Sequence, residues 1–361
     1  MSTETTESGG LAVVGCFTTR QREARGTGPR VFRYAHGARS EHPRWEHLGQ
    51  LDGIVNPSFF RADRARNVIY AAHGDSNMAS AYAIDPASGG ITPLGEADTT
   101  GSNGVAVALH PSGRFLFVAS YSSGSVSALP VMDDGSLADA THRLDLPGAA
   151  GPHKTEQAAS HPHDAVIDPS GQFLIVPDKG LDRVFVLRAD ELTGELSVVS
   201  DAPVRPGAGP RHITFHPVLP RAYVIDEIDS TVVSLAWDPA AGRLVPLHVV
   251  PALPDSFFGH STAAEIVMHP SGRFLYTSNR GADTVTRFEV DEGGDRLTPR
   301  GWTASGGRDP RYMTLSPGGD RLVVANEQGD NITEFAIDPR DGTLRVAATV
   351  ATASPSAIAF L

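Results

Sequence analysis

"VAVALHPSGRFLFVASYSSGSVSALPV", residues 105–131, decides the fold because it recurs. It returns as "HDAVIDPSGQFLIVPDKGLDRVFVLRAD" (163–190), "RHITFHPVLPRAYVIDEIDSTVVSLAWDP" (211–239), "AEIVMHPSGRFLYTSNRGADTVTRFEVD" (264–291) and "RYMTLSPGGDRLVVANEQGDNITEFAID" (311–338). A more divergent copy, "PSFFRADRARNVIYAAHGDSNMASAYAID", occupies 57–85. The turn prolines Pro111, Pro169, Pro217, Pro270 and Pro317 stand 58, 48, 53 and 47 residues apart. Each copy contains a strand, a Pro/Gly turn, a second strand, a short Gly/Asp/Asn loop and a third strand, with a fourth apolar segment before the next copy. The strands alternate apolar and polar residues and favour Val, Phe, Tyr and Thr, so period two fits and period 3.6 does not. Four antiparallel strands in a unit of this length make a propeller blade.

Six copies account for residues 57 to about 350, and the two ends supply a seventh. "LAVVGCFTTR" (11–20) reads as a second strand, "RVFRYA" (30–35) as a third, and "SPSAIAFL" (354–361) as the strand that opens every other copy. Pairing the last strand with the first ones leaves no free edge at the seam. The expectation is all-β: one seven-bladed β-propeller over residues 11–361, closed by the C-terminal strand, after a disordered polar N-terminus at 1–10. A six-bladed ring with an N-terminal extension is the alternative.

The 361 residues carry a formal net charge of −12 and no basic block. That argues against nucleic acid or an anionic membrane as partner, since both need clustered cations. The 30 basic residues include two lysines, Lys154 and Lys179. Cys16, the only cysteine, excludes an intramolecular disulfide and a thiolate zinc cluster. The N-terminus has no apolar signal core, so a soluble cytoplasmic monomer is expected. No serine elbow, phosphate-binding loop or dinucleotide fingerprint is present.

In such a blade the start of the first strand and the end of the second lie on one face. The loops there read "FTTR", "HGDS", "YSSG", "DKGL", "DEID", "NRGA" and "NEQG", contributing Glu227 and Arg280. The first-strand starts "HPHDAV", "GPRHITF" and "STAAEIV" contribute His161, His163, Arg211, His212 and Glu265. Three consecutive blades thus aim histidine, carboxylate and guanidinium groups at one channel mouth. The chemistry this suggests is acid–base work on an anion: arginine offers a rigid fork for carboxylate or phosphate, and histidine moves a proton near neutral pH. Interblade salt bridges are the plainer reading of the same charges.

His161 and His163 also invite a metal reading, with Asp164 or Glu227 as third ligand. Flanking arginines would repel a cation and no third histidine is equivalent, so no metal and no cofactor is expected. His110, His216 and His269 precede turn prolines and read as turn residues. Cys16 falls on the functional face but reads as an ordinary thiol. The longest interruption, 138–160, precedes "HPHD" and would cover a substrate, with Lys154 as an extra anion contact.

These motifs, in this order, resemble the seven-bladed lactonase family, which includes propeller-type 6-phosphogluconolactonases and carboxy-cis,cis-muconate cyclases. "HPHDAVIDPSGQFLIVPDKGLDRVFV", "GPRHITFHP", "DEIDSTV", "AAEIVMHPSGRFLYTSNRGADTV" and "DPRYMTLSPGG" carry the resemblance, from about residue 11 to the C-terminus. It implies a metal-independent site using His163, Arg211, Glu227 and Arg280. The neighbouring His161, His212, Glu265 and Lys154 are then expected to bind substrate, a small anionic lactone or carboxylic acid, most simply 6-phosphogluconolactone. In that reading the arginines polarise the carbonyl, and Glu227 or His163 activates water. Two departures touch the substrate rim: "NGVAVAL" (103–109), where relatives often carry a histidine, and "GPHKTEQAAS" before "HPH". A lactonizing cyclase and a non-catalytic binding platform are the alternatives; the polar loops of this face count against the platform.

Overall fold

The computed structural model describes residues 8–36 and 44–361, and among them the strands form seven four-stranded antiparallel sheets. Blades 2 to 7 are built in chain order, each from four successive strands. Their first strands are Pro57–Asp63, Gly104–Leu109, Val166–Ile167, Pro210–Phe215, Thr262–Met268 and Pro310–Leu315. Blade 1 takes its first strand, Pro355–Phe360, from the C-terminus and the others, Ser8–Cys16, Arg30–His36 and Arg44–Gln50, from the N-terminus. At this seam Ala12 pairs with Phe360 and Val14 with Ile358, so the closed seven-bladed ring stands and the six-bladed alternative does not.

Three local features differ from the sequence expectation. Of the polar N-terminus, residues 1–7 lie outside the described residues, whereas Gly9 and Gly10 already pair with Ala35 and Tyr34. A backbone ladder asks nothing of side-chain polarity, so composition marked the strand start too late. Within the interruption at 138–160, His142–Asp145 forms the outer strand of blade 3. In blade 4 the first strand shrinks to Val166–Ile167, and His161–Ala165 run irregularly beside the second strand, Leu174–Asp178. Pro177 in that second strand has no N–H to donate, but its carbonyl accepts the His163 N–H at 3.0 Å, and the Asp178 carboxylate accepts the His161 N–H at 2.8 Å.

The core lies between blades, where the apolar faces of neighbouring sheets meet. Buried tyrosines on second strands stitch successive blades: Tyr223 donates to the Gly294 carbonyl at 2.9 Å and Tyr276 to the Gly342 carbonyl at 2.7 Å. Each bond satisfies a hydroxyl that would otherwise be costly to bury. His110, His216 and His269 do serve turns: His216 Nδ1 accepts the Val218 and Leu219 N–H groups, and His110 and His269 meet Ser112 and Ser271.

One irregularity recurs and positions the site. The ladder between first and second strands shifts register at the same end of blades 1, 2, 3, 5, 6 and 7. Each shift is a bulge that leaves residues unpaired, and a bulge re-aims its side chains. The extra residues are Ser356, Ser58, Val105, Arg211, the Ala264–Glu265 pair and Arg311.

Candidate active site

Five of these bulge residues, Ser356, Ser58, Val105, Arg211 and Arg311, line one cavity together with His163, His212, Arg22 and Tyr312. Val105, in the stretch "NGVAVAL", is therefore on the cavity wall. A second tier of charge comes from the ends of the second strands: Lys179, Glu227, Arg280 and Glu327 hold equivalent positions in blades 4 to 7. Bulge tier and loop tier interlock across blade boundaries.

Glu227 is the knot. Its Oε1 accepts from Lys179 Nζ at 2.8 Å, and its Oε2 lies 2.9 Å from Arg211 Nε and 3.2 Å from Arg280 Nη2. The Arg211 contact is an ion pair without hydrogen-bond alignment. Burial pushes the Glu227 carboxyl up, but Arg280, Lys179 and Arg211 together overcome it and hold the group well below the usual carboxylate range. A carboxylate so stabilised is a poor proton acceptor. Arg211 also donates to the Ala264 carbonyl freed by the blade 6 bulge, and Arg280 to the Thr262 and Ala263 carbonyls. Burial, and next the charge of Arg280, pull the Arg211 guanidinium down to about 9, so it stays a cation at neutral pH.

His163 is buried with Nε2 4.0 Å from Glu227 Oε2, and its Nδ1 has no hydrogen-bond partner among the described residues. Burial, then the Arg211 charge, hold its acidity constant well below the ordinary histidine value, so the ring is neutral at pH 7. Its ring centroid stands 5.5 Å from that of His212. His212 Nδ1 meets Glu265 Oε1 at 2.8 Å, and the Ile266 N–H holds the same oxygen at 3.0 Å. Burial raises Glu265 to about 8, while burial and Arg211 lower His212 to about 3. The pair therefore shares one proton across the neutral range.

The sequence-predicted residues divide. His163, Arg211, Glu227 and Arg280 come together, and His212 and Glu265 form a buried pair beside them. His161 stacks on Tyr121 at 4.3 Å with Nδ1 on the Tyr121 carbonyl and is not among the residues lining the cavity. Lys154 is exposed; the loop instead reaches the site through Glu156, whose Oε2 holds Lys179 Nζ at 2.7 Å. Sequence reasoning passed over Lys179, Glu327, Arg311 and Arg22. "DKGL" and "NEQG" contained the first two among loops taken to be mostly neutral, and "DPRYMTL" aligns Arg311 with Arg211 of "GPRHITF". Among the described residues no three His, Cys, Asp or Glu side chains group to hold a metal ion, and no helix is long and apolar enough to cross a membrane.

The chain is a closed propeller with histidine, carboxylate and guanidinium groups buried together at one cavity. The seven-bladed β-propeller lactonase family matches residues 12–360, so the chain belongs to that family, and lactone hydrolysis is the activity of its class. A protein named 6-phosphogluconolactonase from Bacillus subtilis (strain 168) is 32% identical over 85% of this chain and 88% of its own. One of the same name from Pectobacterium carotovorum subsp. carotovorum (strain PC1) is 34% identical over 82% and 84%. The solved structure of a Pseudomonas aeruginosa periplasmic gluconolactonase is 30% identical and covers 98% of this chain and 99% of its own, with a TM-score of 0.88.

Proposed function

We propose that this enzyme hydrolyses a small anionic sugar lactone, most directly 6-phosphogluconolactone to 6-phosphogluconate, without a metal, at this channel mouth. The observation that carries the reading is a neutral, buried His163 beside arginines that Glu227 holds in place. Water attacks the lactone carbonyl while His163 takes its proton. Arg211 and Arg280 face the developing oxyanion, where preorganised cations count most. The tetrahedral intermediate collapses, the ring C–O bond breaks, and the His163 imidazolium returns the proton to the leaving alkoxide. The product is the open hydroxy acid, which ionises and releases one proton. Glu227 orients the guanidinium groups and stabilises the imidazolium; both its oxygens are taken up by cations, whereas His163 lines the cavity with Nδ1 unpartnered among the described residues, so the histidine is the base.

The test is enzyme-dependent proton release from freshly prepared 6-phosphogluconolactone above the spontaneous rate. Release that saturates with substrate supports the reading. A rate equal to the spontaneous one rejects this substrate and directs the search to muconate-type acids.

A further inference from the structure

Blade 7 repeats the Arg–Glu arrangement of blade 5, and the reaction above leaves it unused. Arg311 is the bulge residue of its first strand, as Arg211 is of its own, and Glu327 follows the second strand as Glu227 does. The steps 211 to 227 and 311 to 327 are the same length.

The two arginines differ in what they already hold. Arg211 contacts Glu227 and the Ala264 carbonyl, Arg280 contacts Glu227 and two carbonyls, and Arg22 grips Asp75 with Nε at 2.8 Å and Nη2 at 2.6 Å. Arg311 has one longer ion pair, to Glu327 at 3.4 Å, and donates no hydrogen bond among the described residues. Yet its side chain is only 18% exposed, and it lines the cavity with Arg211 and Arg22. Phe17 braces it: the guanidinium carbons of Arg22 and Arg311 lie 4.5 and 5.0 Å from that ring. A largely buried fork with unspent N–H groups, held over an aromatic ring and lining a cavity, is suited to an oxyanion.

We propose that Arg311, with Arg22 beside the same Phe17 ring, is the subsite that reads a second anionic group on the substrate, a phosphate monoester carried by the lactone. It is distinct from the Arg211–Glu227–Arg280 centre where the ester carbonyl reacts, and it rests on the lactonase reading above. A phosphate dianion takes the N–H groups that Arg311 leaves unused, and a lactone without phosphate offers nothing in their place.

The experiment compares kcat/KM on fresh 6-phosphogluconolactone and on glucono-δ-lactone for the wild type, Arg311→Gln and Arg311→Gln/Glu327→Gln. The double variant removes the carboxylate that the single one strands. Titration calorimetry with 6-phosphogluconate and gluconate runs alongside. The ratio of phosphorylated to unphosphorylated rates falls roughly 10- to 100-fold in both variants, mainly through KM, as expected for lost charge-assisted hydrogen bonds. Equal fractional losses on both lactones, or an unchanged ratio, overturn the proposal. If the wild type hydrolyses neither lactone, the functional reading fails and the titration decides the subsite alone. A preference for 6-phosphogluconate that both variants lose supports it; one that persists, or is absent from the wild type, overturns it.

Discussion

Lys179 Nζ stands 2.8 Å from Glu227 Oε1, joining blade 4 to blade 5 beneath the channel mouth. The lysine is buried, with Glu156 as its second anion, and the same Glu227 carboxylate carries Arg211 and Arg280. One carboxylate thus fixes three cations from three blades. Such a knot contributes geometry more than stability, because burying each ion is itself expensive.

Cutting that link with Lys179→Met leaves Glu156 and Glu227 short of a cation. Unfolding free energy by denaturant titration drops by about 3 kcal/mol, the usual scale for breaking a buried pair. The turnover number falls at least ~10-fold as Arg211 and Arg280 lose their fixed anchor. Unchanged turnover would show that the lysine is a structural bystander.

The His212–Glu265 pair makes stability depend on pH. Folded, it keeps one proton from about pH 3 to about pH 8. Unfolded, from the ordinary values 4.5 and 6.5, it holds two protons below the first, one between them and none above the second. The folded state therefore binds the extra proton above 6.5, and stability falls as pH rises from there through 8, by on the order of 1 kcal/mol. In the acid range the sign reverses and stability is lost as pH falls from 4.5 toward 3. Melting temperatures of wild type and Glu265→Gln across pH 6–9 check this. The variant shows the shallower decline, and parallel curves would refute the assignment.

For His163 the burial-lowered proton affinity places the acid limb of kcat/KM well below the ordinary histidine range, with a plateau through neutrality. His163→Gln loses roughly 100-fold or more on the plateau, within the range for a general base. A limb at the ordinary histidine value in wild type would mean that the ring is not desolvated during turnover.

Gly209 precedes the first strand of blade 5 with φ +71°, and an added Cβ would stand 2.7 Å from Ile228 Cδ1 and 3.3 Å from Lys179 Cγ. Its carbonyl accepts the Glu227 N–H at 2.7 Å. Gly209→Ala costs on the order of 2 kcal/mol from left-handed strain and crowding, and it displaces the carboxylate that orders the site. Activity then falls more steeply than stability. A stable, fully active variant would contradict the tight coupling of this turn to Glu227.

The ring was legible because one strand pattern recurs, five times with a turn proline, down to "SPSAIAFL" completing the first blade. The quartet His163, Arg211, Glu227 and Arg280 was legible because blade equivalence converts sequence distance into adjacency. Which cation holds which carboxylate was not. That depends on bulges, which insert residues such as Arg211 and Arg311 without a distinctive local signature. The same comparison held Lys179 and Glu327, but a charge in a short loop has no partner until neighbouring blades are packed. Lys154 and Glu156 show the limit in an irregular loop, where two residues decide which charge points inward.

The central claim is hydrolysis organised by Glu227 at a metal-independent mouth, and proton release from fresh 6-phosphogluconolactone tests it most directly. Wild type, EDTA-treated wild type and Glu227→Gln are followed against the spontaneous rate. The account predicts release that survives EDTA and falls roughly 100-fold or more in the variant, as expected when oxyanion-facing groups lose their positioning. Release abolished by EDTA, or undiminished in Glu227→Gln, would contradict it.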